Sequence, residues 1–531
     1  MDSLVIALYI IGIMVIGLWV VRKKSMNAEG YFLAGHSLKW PVIGAALFAS
    51  NISTIHLIGL AASGFNDGLV WGNFEWMAVF TLIILALVFA PFYYKNKIST
   101  LPEFLEMRYN SVARTCLAVL ALLGALFMHI GVSLYAGAVV FEHFFGLNVY
   151  VSILAISFIT ALYTVIGGLQ SVVITETIQT VILVGGAIIL TIYGFMALPD
   201  HGIHSWDALK AAAKPEQLNI VPSASNSSGL TWSAILLGYP VLGIWYWCAD
   251  QTIVQRVLAA ETLRDAKIGP LFAAAIKILP VFILVLPGVL GYVLFKDIIT
   301  DANDTFPVLI TELLPTGLKG LMAAALLAAL MSTIAAALNS AGTLVSIDIV
   351  KRNRPDTSDK QQVQIGRVTA VVVMIIAISW SPLIAGFNSI FEAINILLTV
   401  ISPPITTVFV WGLFWKRGNH QGAIATFIGG FLLGLIAFLL DFPVFGDTKI
   451  LTEIWGVSFM MQAWWLFVCS SIIYVIASLL TPHPDYEKIE SCTMSSPLAF
   501  LKNEEGEKRN VPLILSGILI LVMVLLYSLF G

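Results

Sequence analysis

Apolar runs of about 20 residues, the length a helix needs to cross hydrocarbon, recur along nearly the whole chain. About fourteen can be read: 3–21, 38–65, 74–94, 112–142, 149–167, 171–197, 231–252, 265–295, 319–349, 365–386, 389–415, 420–440, 455–480 and 511–530. The pattern predicts an all-α polytopic membrane protein. One stretch within these runs is unusual: residues 47–64, LFASNISTIHLIGLAASG, carry Asn51, Ser53, Thr54 and His56 in their middle. Five runs later, 231–252 is interrupted by YWCADQ. Two interrupted helices at corresponding places in two five-helix halves point to an inverted-repeat transporter with a site near the midplane. The halves would be 38–197 and 231–415, in opposite orientations because five is odd. Runs 3–21, 420–440, 455–480 and 511–530 would be peripheral, and 1–531 a single membrane domain.

Composition agrees. Of 531 residues, 59% are hydrophobic and 11% charged, with mean hydropathy +0.92, whereas a soluble domain carries about 25% charge. The net charge of −3 matters less than where the charges fall. With the N-terminus placed outside and the runs alternating, one side collects Arg22, Lys23, Lys24, Lys95, Lys97, Arg108 and Arg114. It also receives Arg256, Arg264, Lys267, Lys351, Arg352, Arg354, Lys416 and Arg417. The other side receives Lys210, Lys214, Lys296, Lys319 and Lys449. By the positive-inside rule both termini are expected outside the cytoplasm. The first run has its positive charges after it, which is not the order of a cleaved signal peptide. Cys116, Cys248, Cys469 and Cys492 fall in runs or on the predicted cytoplasmic side, so no disulfide framework is implied. HExxH, GxxxxGK[ST] and GxSxG motifs are absent from the sequence, and nothing points to an enzyme or an ATP-driven pump.

Charged residues inside a span cost at least about 2.5–3.5 kcal/mol and mark a pathway or a buried partner. Lys277 lies deep in the eighth run, and Glu75 near the start of the third. Asp250 and Glu176 are closer to helix ends, where interfacial placement explains them as well. His56, His129 and Asn395 are neutral and could simply bond across helices. Ser332 and Thr333 could bond back to their own helix. Combined with an interrupted helix, though, adjacent hydroxyls and freed carbonyls supply the hard oxygens that suit a dehydrated monovalent cation.

Several motifs carry a resemblance. YFLAGHSL, LFASNIS, FEWMA, STLPEFLEMRY, ALYTVIGGLQSVV, WYWCADQTIVQR, MSTIAAALNSAGTLVSIDI and SPPITTVFVWGLFWKR closely resemble the sodium/solute symporter family. The best match is its sodium/glucose (galactose) cotransporter branch, of bacterial type by helix count, and it runs from about residue 3 to 530. The resemblance implies a five-plus-five inverted repeat with discontinuous helices, a cell-membrane location and secondary active Na⁺:hexose symport by alternating access. It implies a sodium site of the Ala49, Ile52 and Ala329 carbonyls with the Ser332 and Thr333 hydroxyls. It implies a sugar site of Asn51, His56, Glu75, Lys277, Asn395, Gln251 and Trp247, with Tyr246 as inner gate. Leu60, Phe74 and Phe391 would form an outer lid. The expected partners are a small sugar and the bilayer, with no nucleic acid, and a monomer would suffice for transport.

Departures from the family pattern bear on the cargo. Asn395 stands where Gln is usual, and Gly243 and Ala78 replace polar residues of some sugar carriers. Those changes leave room for another hexose or an inositol. Ala336 lacks the hydroxyl of two-sodium members and Glu176 replaces Asp, so one Na⁺ per solute is expected. Proline or pantothenate symport, or a sugar-gated sensor with little transport, are the alternatives.

Overall fold

The breaks in the apolar pattern are breaks in the helices. The computed structural model describes residues 1–21, 27–222, 229–382, 390–441, 448–496, 501 and 510–531. Side chains 21, 54, 55, 140, 143–145 and 390–397 lie outside that description. Among the described residues no strand forms, only an isolated bridge between Leu38 and Ala260. The principal helices are α1 (Asp2–Val21), α2 (Trp40–Asn51), α3 (Thr54–Asn66), α4 (Leu69–Lys95), α5 (Ser111–Val139) and α6 (Val149–Ala197). Next come α7 (Ala234–Ala249), α8 (Gln251–Leu258), α9 (Leu263–Phe295), α10 (Leu318–Lys351) and α11 (Asp359–Trp380). The chain closes with α12 (Ile390–Phe414), α13 (His420–Asp441), α14 (Phe459–Leu479) and α15 (Val511–Leu529).

Ten of the described helices are long and apolar enough to cross a membrane, or eleven if α2 and α3 are one bent span. That is fewer than the fourteen runs because joined helices count once and shorter apolar stretches among the described residues are left out. Runs 149–167 and 171–197 are two helices that meet at Gly168, whose non-helical backbone (φ 58°, ψ −158°) divides α6 where the sequence pattern does. Gly168 is needed there because its backbone is left-handed and a Cβ would press on the Tyr31 carbonyl. Run 231–252 gives an apolar helical stretch, Ala234–Ala249, that is shorter than a full span, whereas run 389–415 is the 25-residue helix Ile390–Phe414. In the first case the extended Asp250 (φ −88°, ψ 119°) ends the helix.

The centre is α10, in which every residue from Met322 to Thr343 is buried. Its Ala, Ser and Gly side chains let neighbours approach closely, the packing that lipid-embedded helices favour. At the edge, α1 and α15 turn Leu4, Leu8, Val15, Leu521 and Val524 outward, as expected where the solvent is hydrocarbon. Helices α3 and α9 meet backbone to backbone. A Cβ at Gly64 would strike the Val285 carbonyl, and one at Gly288 the Ala61 carbonyl. This contact fixes α3, which bears His56, against α9, which bears Lys277.

Candidate solute and ion site

The break between α2 and α3 bends the chain by 63°. Ile52 (φ −76°, ψ 108°) and Ser53 (φ −106°, ψ 173°) are extended, so the helical ladder stops just where the polar residues begin. Ser53 restarts it with a capping box in which its backbone N–H donates to His56 Nδ1 at 3.3 Å. That bond makes Nδ1 the acceptor of a neutral His56 and leaves Nε2 as its donor.

Freed carbonyls at the end of α2 meet α10. Ser332 Oγ lies 2.8 Å from the Ala49 carbonyl oxygen and 2.9 Å from that of Ala329. Thr333 Oγ1 lies 3.3 Å from the Ser50 carbonyl and 3.2 Å from that of Ala329. Both side chains are buried. Two hydroxyls and three carbonyls therefore converge, an all-oxygen set suited to a hard cation. The sequence pointed to Ala49, Ala329, Ser332 and Thr333 but not to Ser50. Ile52, also expected, sits at the break with an extended backbone that takes its carbonyl out of the helical pattern. Ser50 Oγ in turn donates to the buried Glu176 at 3.0 Å, and Glu176 pairs with Arg256 of α8. Glu176 and Asp250 are thus buried and paired, not interfacial.

Beside these oxygens is a cavity of about 170 Å³. Asn51, His56, Glu75, Lys277, Trp247, Tyr246, Leu60, Phe74 and Thr333 all line it. Lys277 is placed by a local break in α9. Pro280 cannot donate a backbone hydrogen bond, and the helix loosens at Lys277 and Ile278, whose carbonyl accepts from Trp76 Nε1 at 3.2 Å. The Lys277 ammonium donates to Glu75 and to Asn51 Oδ1 (2.5 Å) and lies 5.6 Å from the centre of the Trp247 ring. Asn51 Nδ2 donates to Tyr246 Oη at 3.2 Å. A relay Glu75–Lys277–Asn51–Tyr246 thus runs along the cavity wall, its two charges mutually neutralised. Phe74 stacks on Trp71 and on Phe459 of α14, and meets Tyr239 edge-on.

Gln251 is elsewhere. It is fully buried outside the cavity lining, and its Oε1 accepts from the Leu101 backbone N–H at 2.8 Å. The interruption at Asp250 makes Gln251 the first residue of α8, which turns it toward the Leu101 helix. The Asn395 and Phe391 side chains lie outside the described residues. Gly243 lines the cavity without enlarging it by choice of residue, since a Cβ there would press on Thr81 and Tyr239 at 2.8 Å. Sequence reasoning did not find Met128, Ser133, Tyr239, Leu242, Trp245 and Leu398 in the lining. Their apolar or small side chains look like ordinary helix surface until the helices are assembled. His129 also lines the cavity. It had been singled out, but for bonding across helices.

Paired charges and freed carbonyls, gathered at breaks in membrane helices, define a solute carrier of the broken-helix type. The chain belongs to the sodium:solute symporter family, whose model matches residues 31–430. It is 38% identical to the sodium/myo-inositol cotransporter 2 of Mus musculus over 83% of this chain and 70% of that one. With the sodium/mannose cotransporter of Bos taurus it shares 37% identity over 93% and 88% of the two chains, and with the sodium/glucose cotransporter 1 of Oryctolagus cuniculus 33% over 92% and 80%. In fold it is similar to a Na⁺-coupled sialic acid symporter in a substrate-bound outward-open state. That match has TM-score 0.75 at 20% identity and covers 91% of this chain and 99% of the other. The protein is a multi-pass membrane symporter, and Na⁺ is its co-transported ion.

Proposed function

We propose that this protein moves a neutral hexose together with one Na⁺ by alternating access. The observation that carries the reading is the Glu75–Lys277–Asn51–Tyr246 relay beside Trp247 in one cavity. A carboxylate, an ammonium and an amide hydrogen-bond ring hydroxyls of either polarity, and a flat indole covers the C–H face of a sugar. Because Glu75 and Lys277 neutralise each other, the wall has no net charge to attract an ionic solute. The Na⁺ would sit on the Ala49, Ser50, Ala329, Ser332 and Thr333 oxygens, with Ile52 contributing at the break. Since α2 ends with both Ala49 and Asn51, Na⁺ that orders this segment also forms the solute wall, and each cargo tightens the other. Leu60 and Phe74 would close the outer side and Tyr246 the inner. Residues 38–197 and 231–415 would be the repeat halves, with both termini outside the cytoplasm.

A second reading, myo-inositol as cargo, is favoured by the relatives named for it. The test is uptake of labelled glucose, galactose, mannose and myo-inositol into proteoliposomes, with and without a Na⁺ gradient. Hexose accumulation above equilibrium only with the gradient, and a Hill coefficient near one for Na⁺, are expected. Accumulation of myo-inositol alone would replace the first reading by the second. No accumulation of any of the four would defeat both.

A further inference from the structure

One cavity-lining side chain has an unused hydrogen-bonding position. His129, on α5, lines the cavity, and so does Ser133 one turn later on the same helix face. The ring is 11% exposed, so it is not sealed from the cavity. Its Nε2 lies 2.8 Å from Asp250 Oδ2, while Asp250 Oδ1 accepts the Thr252 backbone N–H at 2.8 Å as the cap of α8. A carboxylate only accepts, so both of its oxygens are used and Nε2 must carry the proton. The other nitrogen of a neutral imidazole is then an acceptor, and Nδ1 has no hydrogen-bond partner among the described residues. Because the ring is open to the cavity, that nitrogen is left to accept from whatever fills it. The ring also lies 6.2 Å from that of Tyr246, at the opposite end of the relay from Glu75.

We propose that His129 is a further substrate-binding residue, whose Nδ1 accepts a hydrogen bond from a solute hydroxyl other than those met by Glu75 and Lys277. Asp250 positions the ring by fixing its tautomer. The inference rests on the proposed function and narrows it. A solute held at both ends of the relay must carry hydroxyls on more than one edge of its ring, as a hexose or a cyclic polyol does. It also gives the interrupted helix a direct link to the cargo, because the carboxylate that orients His129 caps α8.

Solute-dependent Trp fluorescence at saturating Na⁺ tests this, with Trp245 and Trp247 in the cavity lining as reporters. The ligands are the transported solute and its monodeoxy analogues, each deprived of one hydroxyl. In His129→Leu the parent should bind about tenfold more weakly, the loss of one neutral hydrogen bond. One analogue, weaker than the parent in the wild type, should lose nothing further, since residues and groups that touch show non-additive losses. His129→Gln, whose amide can both donate to Asp250 and accept from the solute, should restore most of that affinity. Asp250→Asn keeps a competent cap, so it should shrink the discrimination against that one analogue while the others hold. If every analogue keeps its wild-type ratio to the parent in His129→Leu and in Asp250→Asn, the proposal is overturned. Should His129→Leu fail to fold, the Asp250→Asn ratios decide alone. A wild type with no Na⁺-dependent response to hexose or inositol would defeat the proposed function itself, whereas wild-type binding with uniform ratios defeats only the role of His129.

Discussion

The two helix breaks use opposite ends of the backbone. At the first, α2 stops at Asn51 and its last carbonyls, the negative end of the helix dipole, face the Ser332 and Thr333 hydroxyls. No protein cation is placed on them in the described contacts. At the second, α8 starts at Gln251 and presents the positive end, but Asp250 covers it and is itself held by His129. An open negative end and a closed positive one suit a cation beside an uncharged solute. An anionic cargo would call for the reverse: the N-terminus of α8 left free.

The largest effect expected from testing this contrast is at the open end. Ser332→Ala and Thr333→Ala each remove one of two hydroxyls from the oxygen set. Each should abolish accumulation driven by a Na⁺ gradient while leaving the protein inserted and monodisperse. Normal accumulation by both variants would show that the α2 carbonyls do not serve the ion.

Next in size is the charge pair between the breaks. Glu75 and Lys277 are both buried, and removal of one partner of such a pair costs about 3–5 kcal/mol because the other is left uncompensated. Lys277→Ala should therefore lower thermal stability strongly and also abolish solute binding. Adding Glu75→Gln should recover most of the stability and none of the binding. A double variant no more stable than Lys277→Ala alone would mean that the pair is not the source of the loss.

These contacts were legible to different degrees before the helices were assembled. The polar insertion at 51–56 announced the first break, because Asn, Ser and His crowded together in mid-span are more than one cross-helix bond explains. Lys277 and Glu75 were conspicuous since charge in hydrocarbon is costly, and Ser332 with Thr333 because the motif is distinctive. Gln251 was misplaced for a physical reason. A residue just after a break points wherever the new helix axis sends it, and the one-dimensional pattern does not contain that angle. Ser50 was missed because its backbone, not its side chain, faces α10, and carbonyl direction leaves no trace in residue type.

The smallest effect separates the two caps. Ser53 restarts α3 through its hydroxyl and a neutral imidazole, with Ser53 Oγ and His56 Nδ1 3.1 Å apart. Asp250 restarts α8 through a carboxylate. Replacing a Ser or Asp cap by Ala costs about 0.5–2 kcal/mol, whereas exchange between good caps is nearly neutral. Ser53→Ala should thus lower stability by about 1 kcal/mol, and Asp250→Asn by less, because Asn still accepts from the Thr252 N–H. Asp250→Ala should lose the cap and the His129 contact together, and fall below both. The ordering Asp250→Ala, Ser53→Ala, Asp250→Asn, from least to most stable, is read from thermal unfolding in detergent without solute. If Asp250→Asn proved as unstable as Asp250→Ala, the carboxylate charge itself would be holding the second break, and the α8 terminus would be closed by electrostatics more than by its hydrogen bond.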